Sequence, residues 1–105
     1  MPRLTEYAQT YKPFHFPWAM EAAVNHELIH WHEQEPELQE DVLQWNTGVL
    51  LPHEVNQITQ ILRLFTQTDA QVGQNYCDLF IPYFKNNEVR CMLLAFAARE
   101  GIHQR

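Results

Sequence analysis

Glycine is scarce in this chain, with three residues in 105. A turn-rich all-β architecture needs many positions with positive φ, so this shortage disfavours one. Basic residues are also few. Seven Lys and Arg face 13 Asp and Glu, for a formal net charge of −6. Duplex DNA and membrane surfaces are bound through basic faces, so neither nucleic acid nor membrane is expected as a partner. No stretch approaches the ~20 apolar residues that span a bilayer. The opening segment MPRLTEYAQT has no apolar signal core, which points to a cytoplasmic protein. Only two cysteines occur, Cys77 and Cys91, and they do not form a C-x-x-C pair. Buried reduced thiols are the simplest expectation for both. Repeats and low-complexity tracts are lacking as well.

What remains is a 46% apolar chain, long enough for one small domain with a modest core. Residues 1–16 read as an extended lead-in punctuated by the prolines of YKPFHFP. A first helix is predicted from Pro17, where proline suits the first turn, to about Glu35 before Pro36. A polar connection follows, with a short helical turn around Trp45. A second helix starts near Pro52 and runs to about residue 80, with Pro82 marking its far end. Its apolar face reads Val55, Ile58, Leu62, Phe65, Val72, Tyr76 and Leu79, in steps of three and four if position 69 is counted. At ~1.5 Å per residue it would be about 43 Å long, the length of a bundle strut. A third helix opens around Asn87–Glu88, with Val89, Leu93 and Phe96 on one face. The pattern predicts an all-α chain.

Three polar residues stand where these stripes call for leucine: Asp69 on the second helix, and Glu100 and His103 on the third. A buried, unpaired carboxylate costs several kcal/mol. Arg63, Arg90 and Arg99 could pair with them, or the stripe could drift to the helix edge and reach water. The three together suggest more. Glu and His at i and i+3 project from one helical face, and a carboxylate on a neighbouring helix can meet them. Oxygen and imidazole ligands suit iron, manganese or zinc. E-x-x-H is the repeating half of the di-iron carboxylate sites of helical bundles, so this chain holds half a site.

Several longer words carry a resemblance. YKPFHFPWAMEAAVNHELIHWHEQEPELQEDVLQW is similar to the N-terminal part of the small, radical-generating subunit of class I ribonucleotide reductase. ILRLFTQTDAQVGQNY resembles the family helix with the first carboxylate ligand, and EVRCMLLAFAAREGIHQR the helix with the first E-x-x-H. The resemblance implies a partial ferritin-like helical bundle, with residues 1–105 as the N-terminal part of that domain. It implies a ribonucleoside-diphosphate reductase subunit, an oxidoreductase contributing half of a dinuclear metal site. That site would generate the radical used to reduce ribonucleotides to deoxyribonucleotides for DNA synthesis. By motif match Asp69 is the first carboxylate ligand, Glu100 the bridging carboxylate and His103 the imidazole ligand. Trp31 matches the tryptophan that relays an electron to the metals; its plainer role is to fill the packed face of the first helix. The implied cofactor is a dinuclear iron centre, with manganese the other candidate. The implied partners are the large subunit, a second small subunit, and a complementary C-terminal small-subunit fragment.

That last partner follows from the departures. The family's radical tyrosine lies four residues past the motif histidine, and this chain stops two residues past His103. The second E-x-x-H, the remaining carboxylate and the docking tail are not in it either. The expectation is a front portion, its remainder encoded separately or belonging to the same longer chain, and inactive by itself. Two other readings compete. HELIH at 26–30 fits the zinc-peptidase pattern H-E-x-x-H, with His26 and His30 as ligands and Glu27 as base. Position 33 is Glu33 and position 36 is Pro36, so the longer form with a third histidine fails. The other reading is a non-catalytic helical module that pairs with a partner bundle.

Overall fold

A computed structural model describes residues 3–104. Among them the architecture is all-helical, without strands, as a partial ferritin-like bundle requires. The helices are α1 (Pro17–Leu28), α2 (Gln39–Asn46), α3 (Pro52–Asn75), the three-residue α4 (Ile81–Tyr83) and α5 (Asn87–His103). A π-helical segment, Tyr76–Phe80, joins α3 to α4, so helical geometry runs from Pro52 to Tyr83. Residues 3–16 contain no helix.

The helix starts follow from local chemistry. Pro17 and Pro52 occupy first-turn positions, where a missing N–H costs nothing. The Glu54 carboxylate reaches back to accept the Leu51 N–H at 2.9 Å. Asn86 caps α5, its side-chain oxygen accepting from the N–H groups of Glu88 (3.0 Å) and Val89 (3.3 Å). The π segment has a cause in Pro82. Its ring would clash with the carbonyl four residues back in regular α geometry. The turn widens before it, and the Ile81 N–H bonds the Tyr76 carbonyl, five residues back.

α1 ends at Leu28, seven residues before the expected stop at Glu35. Ile29, His30, Trp31 and His32 all come from the weaker helix formers. The His30 N–H closes a tighter bond to the Glu27 carbonyl (3.1 Å) and the chain turns away. The other predicted elements lie close to their expected places: a short helix at Trp45, a long one from Pro52 and a last one from Asn87.

α5 is the centre of the assembly, with α1 on one side and the C-terminal half of α3 on the other. Two small residues of α1, Ala19 and Ala23, are buried and let α5 approach closely; Val89 and Leu93 are its buried counterparts. Leu4, Phe16, Tyr76, Ile81, Phe84 and Met92 pack around them. Arg90 ties the α4–α5 connection by donating from Nε to the carbonyls of Ile81 (3.2 Å) and Phe84 (3.1 Å).

The shape is elongated and thin, 61 × 25 × 14 Å. The radius of gyration is 19.2 Å, against about 13 Å for a compact domain of roughly 100 residues. A helix with its side chains is about 10–12 Å across, so the assembly is close to one helix thick. The apolar face predicted for α3 is accordingly not buried along its length. Val72 and Tyr76 are half-buried against α5, but Ile58, Leu62, Phe65 and Leu79 are exposed. Cys77 is exposed too, contrary to expectation, and Cys91 is half-buried; both are free thiols.

Candidate metal centre

Asp69 lies on α3 and Glu100 and His103 on α5, where the two helices meet. Gly73, one turn after Asp69, marks the approach: a Cβ built there would come within 3.8 Å of the Glu100 Cβ. One ligand atom from each of Asp69, Glu100 and His103 lies within 4.8 Å of the other two. Among the described residues this is the one such group of three or more histidine, cysteine or carboxylate side chains. Asp69 and Glu100 are half-buried, whereas His103 is exposed. The His103 Nδ1 stands 3.5 Å from the Glu100 Oε2.

The arginine alternative does not hold. Among the described residues no Lys or Arg pairs with Asp69 or Glu100. Arg90 donates from Nε, and Arg99 from Nη2, to backbone carbonyls. The donor set fits a cation. Two ligands about 2.1 Å from one ion can lie at most about 4.2 Å apart. A spread within 4.8 Å closes to that with small side-chain adjustments. Two carboxylates and an imidazole suit iron, manganese or zinc. A dinuclear centre needs further ligands from outside this group.

Trp31 is not on α1 but in the turn after it, and is 53% exposed. It therefore does not fill a packed helical face. It lines a cavity of about 560 Å³ together with Leu62, Phe65, Asp69, Arg99 and His103. The cavity brings the predicted relay tryptophan alongside two of the three predicted ligands.

The peptidase pattern lacks a third ligand: His26, Glu27 and His30 line one cavity of about 310 Å³, but among the described residues no further histidine or carboxylate joins them there. α1 stops before His30, so His26 and His30 do not share a helical face, and no three-ligand group includes them among the described residues. The His26 ring sits edge-on against Phe96, 4.7 Å between centroids. Its Nε2 is buried without a hydrogen-bond partner. Burial, and then the nearby positive charge of Arg99, lower its pKa below the ordinary 6.5. Sequence reasoning missed the Arg99 contact to this region altogether. It spans 73 positions and leaves no local pattern.

Comparison with known proteins shows the family. The family described as "Ribonucleotide reductase, small chain" matches residues 8–105. The chain belongs to that family. It is 39% identical over 94 residues to "Probable ribonucleoside-diphosphate reductase small subunit 048L" of Invertebrate iridescent virus 3, covering 90% of this chain and 24% of that protein. It is 38% identical over 93 residues to "Probable ribonucleoside-diphosphate reductase small subunit 376L" of Invertebrate iridescent virus 6, covering 89% of this chain and 26% of that protein. The chain thus spans about a quarter of the length of these curated relatives. No solved structure matches it at a comparable level. No helix among the described residues is long and apolar enough to cross a membrane.

Proposed function

We propose that this chain supplies part of the dinuclear metal centre of a ribonucleoside-diphosphate reductase small subunit, and through it the radical chemistry of deoxyribonucleotide synthesis. The observation that carries the reading is the convergence of Asp69, Glu100 and His103 in a chain of this family. Iron is the proposed metal, with manganese accommodated by the same donors. When bound, the centre supplies the one-electron oxidising power of the small subunit.

The chain's own residues hold and shelter that centre. Asp69 offers carboxylate oxygen from α3. Glu100, the more enclosed of the α5 pair with 19% of its side chain accessible against 43% for His103, would hold metal through its carboxylate. His103 offers a ring nitrogen from the last turn of α5. Trp31, at the cavity wall, is proposed as the residue through which an electron reaches the site. Phe65, Leu62 and Ile102 line the same cavity and lower its polarity.

The remaining ligands are proposed to come from a complementary small-subunit segment carrying the second E-x-x-H. That segment would also cover the open faces of the thin helical layer. In this reading residues 1–105 are the N-terminal part of one ferritin-like domain, which works as a small-subunit dimer with the large subunit in the cytoplasm. The experiment is co-production with such a segment, followed by metal analysis by mass spectrometry. Two metal ions per reconstituted small subunit are expected, and at most one after Glu100→Ala. Full two-metal loading of the Glu100→Ala assembly would contradict the proposal.

A further inference from the structure

The way α1 ends ties Trp31 to the helix that bears Glu100 and His103. The last four carbonyls of a helix have no N–H of their own chain turn to accept from. Here the His30 N–H goes to Glu27 and leaves the His26 carbonyl without it. That carbonyl receives the Nη2–H of Arg99 at 2.7 Å. The imidazole of the same residue rests on Phe96. Phe96 and Arg99 are three apart on α5 and so share a face. Residue 26 is therefore held twice by α5, through its ring and through its backbone. A cation at a helix C-terminus is also favoured by the helix dipole.

Trp31 follows five residues later. Among the described residues it makes no hydrogen bond and no ring contact of its own. Arg99 stands in the wall of that cavity and next to Glu100 in sequence. A guanidinium has no lone pair to give a metal, so Arg99 is no ligand.

We propose that Arg99 is a positioning residue: its bond to the His26 carbonyl latches the end of α1 onto α5 and so fixes where Trp31 meets the Asp69–Glu100–His103 cluster. The functional value of the latch rests on the metal-centre reading above; the latch itself does not.

The test uses the 105-residue chain with Trp18→Phe and Trp45→Phe, so that 5-fluorotryptophan reports on Trp31 alone. Fluorine NMR is recorded without metal and with Co2+, in that parent and after Arg99→Met and Arg99→Lys. Without metal, Arg99→Met is expected to sharpen the fluorine line as Trp31 gains local motion, and Arg99→Lys to restore much of the parental width. With Co2+, the metal-induced shift of the resonance should fall by at least half in Arg99→Met, while Co2+ affinity stays within about threefold of the parent. A resonance unchanged in width by Arg99→Met overturns the latch. A parent that binds no Co2+ counts against the metal centre, and the metal-free comparison still decides the latch. If Arg99→Met does not fold, Arg99→Leu takes its place: a sharpened line supports the latch, and a parental line together with a parental Co2+ shift overturns it.

Discussion

The two halves of α3 are chemically alike and physically different. From Asp69 onward the helix lies on α5, and Val72 and Tyr76 are half-buried. Before Asp69 the same three-and-four pattern continues through Ile58, Leu62 and Phe65, and all three are exposed. α2 resembles that open half: Val42, Leu43 and Trp45 are exposed and no residue of α2 is buried. An amphipathic stripe records where a neighbour is wanted. Burial requires that the neighbour be present. In the open half Thr59, Thr66 and Thr68 satisfy their hydroxyls locally, donating to carbonyls four residues back at 2.8–2.9 Å.

The largest expected contrast is in stability. Leu93→Ala on α5, which packs against the closed half, removes a buried side chain and should cost about 2–5 kcal/mol. Phe65→Ala in the open half should cost less than about 0.5 kcal/mol in the 105-residue chain. Denaturant titration of both variants measures the gap. Equal costs would mean that the open face is already covered in solution. Adding the proposed complementary segment should then raise the cost of Phe65→Ala to about 3 kcal/mol or more, the value of a core phenylalanine. A cost that stays near zero in the assembly would break the link between the open face and that segment.

A smaller effect belongs to the cap of α5. Asn86 is fully buried and its oxygen serves two N–H groups. Asn86→Ala should cost about 1–2 kcal/mol, and Asn86→Asp less, read as shifts in thermal midpoint. The smallest is a pH effect where α1 meets α5. The His26 pKa is depressed in the folded chain, so the fold prefers the neutral ring. Its contribution is present above the ordinary pKa of 6.5 and is lost as pH falls from there toward the lowered value. His26→Phe should flatten that loss between pH 7 and pH 5, and a stability curve identical to the parent's would contradict it.

Much of this was legible in the amino-acid order because it is local. Prolines at 17, 52 and 82 mark helix starts and a break, and Asn87–Glu88 reads as the start of the last helix. Asp69, Glu100 and His103 stood out as polar residues on apolar stripes, and they do converge. What was not legible depends on distant partners. α1 stops early because residues 29–32 are poor helix formers and because Arg99, 73 positions away, satisfies the carbonyl left behind. The same early stop moved Trp31 off the helix, and it left the H-E-x-x-H residues on different elements. The open face of α3 and the exposure of Cys77 could not be read either, since periodicity is silent about which neighbours a chain contains.

The central claim is that Asp69, Glu100 and His103 share one cation. Mn2+ binding to the 105-residue chain, followed by electron paramagnetic resonance in the parent and in Asp69→Asn, Glu100→Gln and His103→Ala, tests it most directly. The account predicts one saturable site, weakened at least tenfold by each substitution. Binding that survives all three substitutions at parental strength would contradict it.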